Sequence, residues 1–291
     1  VQRTGSALTG SRLTRHEARS QMRRALEHIR KMHGGAQAHL VRCDDAAYYV
    51  VKFQNNPQHL RILANEMLGC QLATALGLPV ARAEVVKVEP ELIERTPELT
   101  IMKRGRPEKC LPGFHFGSRF PGQPGYVTVH DLLTDERLAE VPNLADFAGM
   151  LVFDQWTCNT NGRQVIFVAE PFRNHPYRVL MIDQGFCFNA GEWNFPDSPL
   201  RGLYPRPRVY EPLTGWQTFE PFLSRLEELP THVLDEAAAA IPPEWYADDT
   251  AALEHLVAQL DRRRHRLREL LLAVKNSSRQ PFPNWASRAS S

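Results

Sequence analysis

The chain has 291 residues, 43% of them hydrophobic, and a formal charge of +2, enough apolar content for one large domain or two parts sharing a cleft. No run of about 18 apolar residues occurs and the N-terminal stretch carries no apolar signal region, so neither a membrane span nor secretion is expected. The five cysteines, Cys43, Cys70, Cys110, Cys158 and Cys187, are scattered without ligand spacing, which argues for reduced thiols in a cytoplasm and against zinc.

Charge is unevenly placed. Residues 1–31 carry eight Lys and Arg against Glu17 and Glu27, a local +6 that leaves −4 for the rest. Such a leader can dock on an acidic partner or on nucleic acid. The plainer reading is a solvated helix face, since no aromatic residue is interleaved for base stacking.

In chain order, residues 1–13 are expected to be disordered. Thr14 with Glu17 fits a capping box and predicts a helix from Arg15 to about Met32, stopped by Gly34-Gly35. Ala38–Arg42 and Tyr48–Phe53 read as strands joined by a hairpin turn at Asp44-Asp45. From Gln58 to Leu76 apolar residues recur at helical spacing; Gly77 caps that helix, and Val80–Val88 returns to strand. The Gly- and Pro-rich stretch 104–126 is expected to be irregular, the best candidate for a hinge. Residues 142–157 read as a buried helix, and Val165–Val168 with Val179–Ile182 as a strand pair. A long loop over 189–215 follows, then helices near 217–229, 231–241 and 249–275, and a polar tail from Asn276 that is expected to be disordered. The arginines from Arg262 to Arg268 read as the solvated face of the last helix, or as a second basic patch for a nucleic acid or a partner. Trp156, Trp193, Trp216 and Trp245 are expected to pack among the helices.

Three side chains carry the chemistry. Lys52 ends the apolar run YYVVKF; alone it reads as an edge-strand lysine. Glu66, fourteen residues on, lies beside the apolar side of the next helix, where it can pair with the lysine and hold its ammonium for nucleotide phosphates. Asp183 ends the apolar strand of RVLMIDQG before a glycine turn, a suitable place for a carboxylate that binds magnesium. Gly34 and Gly35 precede the lysine strand, where small residues let backbone N–H groups approach phosphate, although the pair also reads as a helix stop. Between the buried helix and the strand pair lies a polar loop with Asp154, Asn159, Thr160, Asn161, Arg163 and Gln164.

The segments YYVVKF, NEMLGCQLATALGLPV, MLVFDQWTCNTNGRQ, VLMIDQGFCF and AAIPPEWY together resemble the HipA-like kinases, in particular their short single-domain branch, over about residues 34–246. The resemblance implies an α+β, two-lobed protein-kinase-like fold: a small β-rich N-lobe with one main helix and a larger helical C-lobe. It implies a basic extension over 1–33 containing one helix, an N-lobe over 34–117, a C-lobe over 118–275 and a tail over 276–291. It further implies ATP and Mg2+, with Lys52 and Glu66 serving the phosphates, Ser118 and Phe120 near the adenine, Asp183 and Asn159 near the metal, and Asn161 and Arg163 lining the acceptor loop. The acceptor is expected to be a Ser/Thr hydroxyl, more readily of a protein than of a small molecule. The family pattern has a catalytic aspartate where this chain has Asn161, and a metal-binding asparagine where it has Ile166. An amide cannot accept a proton at neutral pH, so a nucleotide-binding pseudokinase with a regulatory partner stands as the alternative.

Overall fold

The computed structural model describes residues 22–169 and 177–285. The Thr14/Glu17 capping box, most of the basic leader and the last six residues lie outside them.

Five strands close into a barrel in the order β1, β2, β3, β7, β4. These are β1 (Arg23–Lys31), β2 (His39–Cys43), β3 (Tyr48–Lys52), β4 (Ala83–Val88) and β7 (Gly113–Arg119). Val41, Cys43, Tyr49, Val51, Val86 and Val88 fill its interior, because alternate residues of each strand point inward. Between β4 and β7 run α2 (Pro90–Arg95) and the hairpin of β5 (Thr100–Lys103) and β6 (Arg106–Lys109). Between β3 and β4 lies α1 (Ile62–Ala75), buried along nearly all its length. It ends at Gly77, whose φ of +70° suits only glycine without strain.

The second half is mainly helical. It comprises α3 (Asp135–Leu138), α4 (Asp146–Thr157), α5 (Glu220–Glu227), α6 (Thr231–Ala239), α7 (Thr250–Arg263) and α8 (Leu267–Lys275). One small sheet, ordered β10, β9, β8, joins β8 (Thr128–His130), β9 (Gln164–Ala169) and β10 (Arg178–Ile182). A continuous apolar core runs from α1 through α4 to α8 and includes Trp156, Trp193 and Trp245. Among the described residues no helix is long and apolar enough to cross a membrane.

Four expectations are corrected. Residues 23–31 form a strand rather than the end of a helix, because β1 supplies backbone partners to β2 along its length and to β4 at Arg23 and Arg24, which closes the barrel. The stretch 104–126 is not irregular throughout: β7 lies centrally between β3 and β4. Its Gly117 is needed there, since a Cβ would lie 2.4 Å from Val86 Cγ2. The last helix is two, joined by a tight turn over Arg264–Arg266, and of its arginines Arg263 and Arg264 are not solvated, whereas Arg262, Arg266 and Arg268 are exposed. Arg263 donates to the Gln155 carbonyl from Nε and Nη2, Arg264 to the Leu229 carbonyl, and both are buried. Residues 276–285 of the tail are packed rather than disordered, because Phe282 and Trp285 stack on Tyr210 and Phe219.

Candidate functional site

β3 delivers Lys52 to the face of the barrel that meets α1 and the end of β10. Its Nζ donates to Glu66 Oε1 at 2.5 Å and also to Asp183 Oδ1. Lys52 thus reaches one carboxylate 14 positions and another 131 positions along the chain. Burial opposes the charged lysine, but the carboxylates of Asp183 and Glu66 together outweigh it and raise its pKa.

Glu66 does more than pair with the lysine. Its Oε2 accepts the N–H of Gln184 at 3.0 Å and its Oε1 the N–H of Gly185 at 2.9 Å. The turn after β10 is therefore built onto α1, and only glycine fits at 185, where a Cβ would lie 2.7 Å from Ile62. Asp183 itself adopts φ +57°, which ends the strand and turns the carboxylate towards Lys52. Its side chain is 32% exposed, whereas that of Glu66 is 2% exposed, so Asp183 is the carboxylate presented to solvent.

The other expected residues fall into two groups. Gly34 and Gly35 form the tip of the β1–β2 hairpin, where the Gln37 N–H donates to the Gly34 carbonyl and no atom crowds the Gly34 position. Asn56, four residues beyond Lys52, holds the Ala36 carbonyl of that tip at 2.8 Å. Ser118 pairs across β7 with Val50, on the same face as Lys52, and Phe120 follows with its N–H on the Tyr48 carbonyl.

The loop after α4 is arranged differently from expectation. Arg163 does not line an acceptor surface: it is 2% exposed and turned inward. Its Nε and Nη2 clamp both oxygens of Asp154, and its Nη1 donates to the Ile182 carbonyl and to Gln184 Oε1. The reason is electrostatic: Asp154 is fully buried on α4 and needs a cation beside it. Asn159 is 1% exposed; its amide donates to Asp154 Oδ1 and its oxygen accepts the Asn161 N–H. It braces the loop from within, so the expectation of Asn159 as a metal ligand is dropped. Asn161 stands at the surface of the loop, its Oδ1 accepting the Gly162 N–H.

A family model described as HipA-like kinase matches residues 25–273. The chain belongs to the HipA-like kinase family. Among solved structures this HipA-like chain is similar to the Helicobacter pylori proinflammatory kinase CtkA, with 15% identity, a TM-score of 0.55, and 87% of this chain and 97% of that one covered. It is similar to hydra Fam20, solved with sugar, at 11% identity and a TM-score of 0.51, covering 88% of this chain and 87% of that one. It is also similar to a Golgi casein kinase at 15% identity and a TM-score of 0.50, covering 87% and 74%. Identities this low establish a shared kinase-like fold of mixed α and β content. No curated protein matches the chain.

The HipA-like site also contains residues that motif reasoning passed over. Asn65, next to Glu66, is fully buried and bonds to the backbone carbonyls of Gly185, Cys187 and Ala190. His59 donates from Nε2 to the Gly185 carbonyl at 2.9 Å. Gln184 receives Arg163. The signal for Asn65 was present: an amide among apolar residues on the inner side of a helix needs partners.

Proposed function

We propose that this chain binds ATP with Mg2+ in a cleft between two lobes and transfers phosphate to a Ser/Thr hydroxyl, that of a protein in preference to a small molecule. The observation that carries the reading is Lys52 bound at once by Glu66 and Asp183. In this arrangement Glu66 holds the ammonium for the α- and β-phosphates, the Gly34-Gly35 turn offers backbone N–H groups to phosphate, and Ser118 and Phe120 border the adenine. The residues fit magnesium in a particular way. Among the described residues no cluster of three or more His, Cys, Asp or Glu forms a dedicated cage. One half-buried carboxylate, Asp183, suits an ion that arrives with nucleotide phosphates and keeps waters of its own. When bound, such an ion neutralises the charge that develops on the transferred group.

One observation favours a second reading, a nucleotide-binding pseudokinase. By the family resemblance Asn161 stands where a catalytic base is expected, and the carboxylate nearest to it in sequence, Asp154, is enclosed by Arg163 and Asn159. Loss of base assistance costs about 10²–10⁴-fold in rate. The two readings separate in one experiment. Mg-ATP is expected to raise the melting temperature of the wild type but not of Asp183→Asn; absence of stabilisation by any nucleotide overturns both readings. Transfer from γ-labelled ATP, slow in the wild type and accelerated roughly 10²-fold or more by Asn161→Asp, supports the kinase. Binding without transfer in both proteins supports the pseudokinase.

A further inference from the structure

The segment that follows β10 is held in a conformation it would not keep unaided. Phe188, Asn189, Ala190 and Trp193 all adopt φ between +52° and +59°. Asparagine tolerates this region; phenylalanine, alanine and tryptophan stay there only where their surroundings over-determine them.

Two latches provide that constraint. The first is Asn65 on α1. Its Nδ2 lies 2.9 Å from the Gly185 carbonyl, 2.9 Å from that of Cys187 and 2.7 Å from that of Ala190. Its Oδ1 accepts the indole N–H of Trp193 at 2.7 Å. Arg61, one turn earlier, stacks its guanidinium 4.2 Å from the Trp193 ring and donates to the Gly191 carbonyl. With Glu66 taking the N–H groups of Gln184 and Gly185, neighbouring residues of one helix grip both the donors and the acceptors of the same stretch.

The second latch is Asp197. Its Oδ1 accepts Arg263 Nη1 at 2.6 Å and its Oδ2 accepts Arg266 Nη2 at 2.9 Å. Arg263 also lies over Phe195, 5.2 Å from the ring centroid. A carboxylate on an arginine pair supplies, as part of the chain, the charge pairing that a phosphate supplies where phosphorylation orders a loop.

Resting on the nucleotide reading above, we propose that Asn65 and Asp197 are positioning residues that keep residues 184–203 docked from the moment of folding, so that Asp183 is held for its ligand without phosphorylation of that segment. Ser198, the only hydroxyl side chain in 184–203 that phosphorylation could use, is then not a switch.

The test is hydrogen exchange on the full chain without nucleotide, with Mg-ATP affinity measured alongside. Wild-type amides over 186–193 are expected to be protected. Asn65→Asp, which removes the donors while keeping the shape, is expected to speed their exchange roughly tenfold or more and to weaken Mg-ATP binding by a similar factor. Asp197→Asn is expected to loosen 194–203, and Asp197→Glu to restore protection. Phosphatase treatment is expected to leave wild-type affinity unchanged. A merely structural role would lower the urea midpoint without this local exchange pattern. The proposal is overturned if wild-type 186–193 exchanges without protection, if both variants exchange as the wild type does, or if phosphatase treatment abolishes affinity. Should Asn65→Asp not fold, Asp197→Asn, at a partly exposed side chain, decides. A wild type that binds no Mg-ATP defeats the nucleotide reading, while the nucleotide-free exchange still decides whether the latches hold.

Discussion

Asp154 accepts Arg163 Nε at 2.8 Å and the Asn159 amide at 2.9 Å, and a second Arg163 nitrogen completes the clamp. Burial pushes its carboxyl up, against the pull of Arg163. Asp154→Asn would strand a buried guanidinium and is expected to cost on the order of 3–5 kcal/mol in urea unfolding. Replacing both partners with apolar residues should cost less than the sum of the single changes. A single-variant cost under about 1 kcal/mol would show that the pair carries no stability. At this scale the sequence was informative where a side chain's partner lay on a recognisable element: the contact of Lys52 with Glu66 and Asp183 was legible. Arg163 and Asn159 were misassigned because polarity in a loop does not reveal direction. Both look functional in one dimension and turn out to face Asp154.

At the level of elements, α1 and the turn after β10 work as one piece. Gly69 shows how closely they approach, since a Cβ there would lie 2.6 Å from Gln184 Cβ. Gly69→Ala should therefore push α1 off the turn. The expected cost is about 1–3 kcal/mol, with weaker Mg-ATP binding because Glu66 moves with the helix. A thermal melt and a nucleotide titration check both parts; an unchanged melt would mean that the contact relaxes freely. Most elements were legible because their patterns are local: β3, α1, α4 and the β9–β10 pair each carry their own periodicity. β1 was not, since RRALEHIRK suits either a helix or a strand, and only the unpaired edges of β2 and β4 decide the matter. β7 was obscured by flanking glycines, which mark its turns.

Across the whole molecule, the barrel wall carries a pH liability. His39 and His115 both contact Phe53, and burial lowers each to about 4. Their neutral rings are engaged, His39 against the Thr100 carbonyl and His28, His115 against the Leu111 carbonyl and the Gln54 N–H. The unfolded chain takes up these protons near pH 6.5, and the folded chain refuses them until about pH 4. Stability is thus fully present above about pH 6.5 and falls as the pH drops towards 4, by on the order of 3 kcal/mol per histidine. Urea midpoints at pH 7.5, 5.5 and 4.5 should show the decline, and His115→Gln should make it shallower. An identical slope in that variant would remove His115 from the account.

β2, β3, α1, α4 and the β9–β10 pair, the family membership and the lysine–glutamate–aspartate set came from the sequence by itself, because each rests on short-range spacing or on residue chemistry that local context reveals. Tertiary structure alone decided that residues 23–31 close a barrel, that Arg163 serves Asp154 and that Asn65 and Asp197 hold the segment after Asp183. Those outcomes depend on which backbone groups and charges are left without partners once the chain is compact, and those partners lie from nine to more than a hundred residues away.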